Sequence, residues 1–192
     1  MPSEPSPVPI EIAPLSLGPE TVTALSEILI EVVAGGGSVS FMHPLAPDDA
    51  ADFWTRSLTA ADAGLRVVLG ARVAGELAGT VTLDLDCPPN QPHRADIAKM
   101  MTRVRHRGLG VARALMIEAE RIAVQRGRTL LTLDTAEDDG AAGLYERLGY
   151  EFAGRIPDYA FKPLGGLTGT RLYFKRIGTA GGAATGASQG SR

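Results

Sequence analysis

Cys87 is the single cysteine of this 192-residue chain, so no intrachain disulfide can form and a reducing, cytoplasmic location is expected. No run approaches the roughly 18 uninterrupted apolar residues of a membrane span, which argues against a membrane partner. Residues 2–9, rich in Pro and Ser, lack the charged head and apolar stretch of a signal peptide. Charge of one sign is scarce too: the formal net charge is −3, so nothing in the overall balance suggests nucleic-acid binding. Internal repeats are absent. From residue 178 onward the chain is Gly, Ala, Ser and Thr with almost no apolar bulk; residues 178–192 and 1–9 are expected to be disordered. Residues 10–177 suit one domain with a sizeable core.

Within that domain the order of elements is legible. A strand is expected over 10–15. A helix over 19–33 opens with Pro19 and stops at Gly35-Gly36-Gly37. A second helix over 47–58 carries Ala50, Phe53, Trp54 and Leu58 on one face. Strands over 65–73 and 76–86 meet at Ala74-Gly75. The second alternates Leu77, Val81, Leu83 and Leu85 with Thr80, Thr82, Asp84 and Asp86, predicting one apolar and one polar face. A strand over 95–102 precedes a helix whose face is Leu109, Ala112, Leu115, Met116, Ala119, Ile122 and Ala123. A strand over 129–135 follows, then a short helix over 138–148 with Ala141, Leu144, Tyr145 and Leu148 on one side, closed by Gly149, and two last strands.

The junction Arg107-Gly108-Leu109-Gly110-Val111-Ala112 lies between strand and helix. Glycines there let backbone N–H groups close on an anion at the positive end of the helix dipole, which predicts a phosphate or pyrophosphate ligand. A P-loop would need Gly-Lys-Ser/Thr where Val111-Ala112-Arg113 stands. A dinucleotide fingerprint would need a third glycine where Arg113 stands. Nine Lys and Arg stand between residues 94 and 128 against Asp96, Glu118 and Glu120. Arg121, Arg126 and Arg128 read as a solvated helix face, leaving Arg107, with Arg105 or Arg113, for phosphates.

The loop matches Arg/Gln-x-x-Gly-x-Gly/Ala, and so resembles the coenzyme A pyrophosphate loop of the GNAT family of N-acetyltransferases. Two registers fit, Arg105 to Gly110 or Arg107 to Ala112; the second is preferred because it leaves four residues between strand and motif. Gly143-Leu144-Tyr145-Glu146-Arg147-Leu148-Gly149-Tyr150 is similar to the segment that follows the fifth strand in that family. His93 to Met101, Leu131 to Thr135, Gly154 to Tyr159 and Leu172 to Lys175 are similar to its tabtoxin-resistance branch, a likeness covering about residues 65 to 177. The resemblance implies an α/β (α+β) acyl-CoA N-acyltransferase fold. Its mixed, curved sheet of about seven strands would be flanked by four helices and splayed between the fourth and fifth strands, where the cofactor enters. It further implies acetyl-CoA as co-substrate, held by Met100, Met101, Thr102, Arg107, Gly108, Leu109, Gly110, Val111, Ala112, Arg113 and Tyr145.

Acetyl transfer from a thioester to an amine needs a neutral amine, a donor for the oxyanion and a proton for the departing thiolate. An alkylamine with a pKa of about 10.4 is mostly protonated at neutral pH, so a nearby carboxylate both attracts it and can take its proton. Asp96 and Asp134 coincide with acids that the tabtoxin-resistance branch is thought to use. Asp96 replaces a more usual glutamate, which shortens its reach by a methylene and favours a bridging water. Tyr145 is the expected general acid, since a phenol stays protonated at neutral pH and the matching tyrosine of the family points at the cofactor sulfur. A backbone N–H near Met101 or Thr102, where valine is usual, is the expected oxyanion donor.

Other clusters carry less. Asp84, Asp86, Cys87 and His93 lack metal-ligand spacing, and no metal is expected. Glu137, Asp138 and Asp139 read as the acidic first turn of a helix, and His43 and His106 as solvent-facing. The expected function is transfer of acetyl from acetyl-CoA to a primary amine of a small molecule, an antibiotic or amino-acid-like toxin, in a ternary complex. The rivals are a non-catalytic acyl-CoA-binding module and a protein N-acetyltransferase. The acceptor pocket would be lined by the N-terminal helices and the 157–169 loop, and a homodimer is common among similar proteins.

Overall fold

The computed structural model describes residues 9–178 except residue 139; the expected disorder of 1–8 and 179–192 lies outside the described residues. Strand β1 (Ile10–Pro14) leads into helices α1 (Pro19–Ala34) and α2 (Pro47–Asp62). Strands β2 (Arg66–Val73), β3 (Glu76–Asp84) and β4 (Arg94–Thr102) follow, then a single turn of tight helix over Val104–His106 and helix α3 (Val111–Gln125). Strand β5 (Leu130–Ala136), helix α4 (Ala142–Arg147) and strands β6 (Glu151–Phe161) and β7 (Leu167–Arg176) complete the order expected from the sequence. The strands form one mixed sheet, β1-β2-β3-β4-β5-β7-β6. Only β4 and β5 are parallel, and α3 supplies the crossover that such a pair requires.

Two apolar layers sandwich the sheet. On one face Leu115, Met116, Ala119 and Ala123 of α3 pack on Val67, Leu69, Val81, Leu83, Ala95 and Ile97. On the other, Leu25, Ile28, Leu29, Trp54 and Leu58 of α1 and α2 cover Val68, Leu77 and Met101. Arg103, buried behind β4, ties α1 in place: it donates to Glu27 at 2.7 Å, to Glu31 at 3.5 Å and to the Leu77 carbonyl at 3.1 Å.

Extra residues in two strands decide which side chains face which layer. Ala71 pairs with Gly79 and Arg72 with Leu77, so Ala78 is inserted into β3. Because side chains alternate with period two, the insertion sends Leu77 to the face opposite Val81 and Leu83. The regular alternation expected over 76–86 therefore does not hold. Thr80 and Thr82 are buried rather than solvated, and the Thr80 hydroxyl donates to the Leu69 carbonyl at 2.8 Å, because helices cover both faces here. In β4, Lys99 and Met100 together oppose Val81, between the pairs Thr82–Ala98 and Thr80–Met101. Ile97 thus joins the α3 layer and Met101 the α1–α2 layer.

Gly79 sits where β4 and α3 press on β3. A Cβ there would lie 2.7 Å from the Met101 carbonyl oxygen and 2.9 Å from Val111 Cγ1. Gly79→Ala is expected to cost about 1–3 kcal/mol through overpacking, read as a lower urea midpoint with an unchanged slope.

Other departures from expectation are local. Leu109 is exposed and Val111 takes its place in the core, because Gly110, at φ 86°, breaks the chain direction and the helix begins after it. The short helix starts at Ala142 instead of 138. Glu137 and Asp138 are therefore not in its first turn; they pair instead with Arg155 and Lys162. Residues 157–161 belong to β6, not to a loop. His106 is buried, its Nε2 3.8 Å from Glu76 Oε2.

Candidate active site

β4 and β5 pair only over Arg94–Asp96 and Leu130–Thr132, then diverge. Beyond Asp96, β4 keeps β3 on one side and, among the described residues, no strand on the other. Its backbone groups on that side open into a cleft of about 980 Å³, where they can pair with an extended ligand as a strand would.

Several expected site residues meet in the lining of this cleft: Met100, Met101 and Thr102 of β4, Arg107 and Ala112 of the glycine loop and α3, Asp134 of β5 and Tyr145 of α4. Tyr145 is buried, its ring 6.0 Å from that of Tyr150 and 6.1 Å from that of Tyr173. Asp134 is exposed to the cleft and accepts a 3.0 Å hydrogen bond from the Thr170 hydroxyl.

At the other end, Gly108 and Gly110 have φ of 79° and 86°, left-handed values that suit glycine. The first intrahelical donor of α3 is the Ala114 N–H, which reaches the Gly110 carbonyl at 3.0 Å; the N–H groups before it are the unsatisfied donors of a helix start. Among the described residues Arg107 has no ion-pair partner, whereas Arg105 is taken by Glu76 and Arg103 by the α1 carboxylates. Donors and a free guanidinium at a helix N-terminus fit a diphosphate. Gly108, Leu109, Gly110, Val111 and Arg113, expected to hold the co-substrate as well, are not among the residues that line the cleft; Arg107 and Ala112 represent this segment there.

Asp96 stands apart from that group. It sits at the last position where β4 pairs with β5, bonded to the Arg94 guanidinium and the Thr132 hydroxyl, and it is not in the lining. Arg94 in turn reaches Thr132 Oγ1 at 2.8 Å and Gln91 Oε1 at 2.8 Å.

The model of the acetyltransferase (GNAT) family matches residues 38–150, a span that holds the cleft's β4 edge, glycine loop and tyrosine helix. The chain belongs to the GNAT acetyltransferase family. It is an acetyl-CoA-dependent acetyltransferase. Its fold is similar to an N-acetyltransferase from Staphylococcus aureus Mu50, at 16% identity, TM-score 0.74, over 88% of this chain and 98% of that one. A ribosomal-protein-alanine N-acetyltransferase from Brucella melitensis is similar at 19% identity and TM-score 0.74, over 87% and 99%. The yncA protein of Salmonella typhimurium, whose structure holds its cofactor acetyl-CoA, is similar at 15% identity and TM-score 0.71, over 93% and 99%.

The acetyltransferase cleft also contains residues that sequence reasoning missed. Lys99 lines it beside Ser40 and Phe41 of the α1–α2 connection, its Nζ 3.0 Å from Ser40 Oγ. Burial holds the Lys99 ammonium below the usual lysine range; Asp134 opposes that shift and Arg66 adds to it. The one sequence signal was a lysine inside an apolar strand. Behind Tyr145, burial and then the Glu120 carboxylate push the Tyr150 phenol far above its ordinary range, so it stays neutral. No helix among the described residues is long and apolar enough to cross a membrane.

Proposed function

We propose that the enzyme transfers acetyl from acetyl-CoA to a primary amine of a small molecule, by direct attack in a ternary complex within the β4–β5 cleft. The observation that carries this reading is that Tyr145, Asp134 and the unpaired edge of β4 open on one cleft whose far end is the glycine loop. In this reading the amides of residues 108–113 and the Arg107 guanidinium hold the diphosphate of the co-substrate. The β4 edge accompanies its pantetheine arm, with Met100, Met101 and Thr102 against it. Acetyl-CoA itself supplies the activated thioester.

Asp134, steadied by Thr170, is the carboxylate that draws in the ammonium and takes its proton, directly or through water. A backbone N–H near Met101 or Thr102 receives the developing oxyanion. The Tyr145 hydroxyl gives its proton to the departing sulfur. Asp96 is the second candidate carboxylate, but its Arg94–Thr132 network favours a role in holding the strands together where the splay begins. The likeness to the tabtoxin-resistance branch points the acceptor toward an antibiotic or amino-acid-like toxin, and the protein toward a cytoplasmic single domain over 10–177.

A thiol-release screen of β-lactam amino acids, aminoglycosides and peptides with free N-termini tests the acceptor class. Turnover of small amines supports the reading; turnover of the peptides alone overturns it. Arg107→Gln is expected to raise the Kd of acetyl-CoA about tenfold, the worth of one charge-assisted phosphate contact. S-acetylpantetheine, which has no diphosphate, should bind both forms equally.

A further inference from the structure

Among the described residues, acetyl transfer leaves one cation of the cleft without a task. Lys99 is in the β4 bulge, at φ 51°, and it lines the cleft together with Ser40 and Phe41 of the α1–α2 connection. Its Nζ lies 5.9 Å from the centroid of the Phe41 ring, 5.6 Å from that of Phe53, and 3.0 Å from the Ser40 hydroxyl. Two aromatic faces and one hydroxyl orient the ammonium without neutralising it.

Among the described residues no carboxylate lies within ion-pair distance of that ammonium. Asp134 acts on it only through the field across the cleft. Asp138, another acid in the lining, is paired with Lys162. A half-buried ammonium without a counter-ion is unfavourable, and a carboxylate brought in by a ligand would relieve it. The lining of the cleft therefore holds a positive group at Lys99, beside Ser40, and a negative one at Asp134.

We infer that Lys99, with Ser40, is a specificity-determining subsite for a carboxylate carried by the acceptor on the same molecule as the amine received near Asp134. The favoured acceptor is then zwitterionic. The inference rests on the cleft being the site of acetyl transfer, as proposed above, and adds to it the charge that the acceptor must carry. A hydroxyl and an ammonium together donate to both carboxylate oxygens, and discrimination against an uncharged isostere follows because the isostere leaves the ammonium unpaired.

Matched acceptors test this: amino acids, their carboxamides and the amines lacking the carboxyl group, each assayed by CoA release with wild type, Lys99→Met, Lys99→Arg and Lys99→Glu. Wild type should prefer the acid over its carboxamide by about tenfold or more in kcat/KM, mainly through KM. Lys99→Met should bring that ratio close to one, Lys99→Arg should keep most of it, and Lys99→Glu should turn the preference toward diamines. Acetyl-CoA titration of each variant reports whether the cleft is intact. The wild-type ratio is informative even if a variant does not fold. Equal use of acid and carboxamide by wild type, or an unchanged ratio in a folded Lys99→Met, overturns the inference and leaves acetyl transfer to amines standing. No CoA release with any member of the set overturns both.

Discussion

Tyr145→Phe is expected to lower kcat by about 10², the usual contribution of a positioned general acid, with the affinity for acetyl-CoA little changed. The phenylalanine ring fills the same space between Tyr150 and Tyr173, whose ring centroids lie 6.0 and 6.1 Å away, so packing is retained and only the hydroxyl is lost. A proton donor and a packing residue are thereby separated. An unchanged kcat at saturating substrates would remove the general-acid role.

Gly110→Val is the second large effect, and it should appear in binding. A Cβ at Gly110 meets no atom within 4 Å, so a side chain there has room. The penalty comes from the backbone, at φ 86°, which a β-branched residue tolerates poorly, at about 1–2 kcal/mol. Relaxing that φ would turn away the donors at the start of α3. Calorimetry should show acetyl-CoA affinity reduced at least about tenfold, equivalent to about 1.4 kcal/mol, beside a modest loss of Tm. Gly110→Ala should give a smaller loss of the same kind. Normal binding in the valine variant would refute the placement of the diphosphate.

How much of this was legible in the sequence differs between elements for physical reasons. The glycine loop could be read because its conformation is local: two glycines at positive φ are a property of consecutive residues, although the helix after them begins at Val111 and leaves Leu109 outside its apolar face. Tyr145 was legible as part of a contiguous motif, although the helix carrying it starts four residues later than its periodicity suggested. Residues 137 and 138 satisfied the rule for an acidic first turn, but Arg155 on β6 and Lys162 in the β6–β7 turn hold them instead. His106 looked solvent-facing by residue type and is buried beside Glu76.

The sequence by itself determined the element order and the strand–glycine–helix junction ahead of α3, since these follow from apolar period and from glycine geometry within a few neighbouring residues. Only the tertiary structure decided which face each strand residue presents. Ala78 and one of the two residues Lys99 and Met100 are extra only in relation to the strands beside them, and one extra residue reverses every side chain beyond it. Nothing in the chain alone marks where that reversal falls. For the same reason the three-dimensional arrangement, not residue type, brings Asp134 and Lys99 into the cleft while Asp96, two strand positions past Arg94, is held by its guanidinium outside the lining.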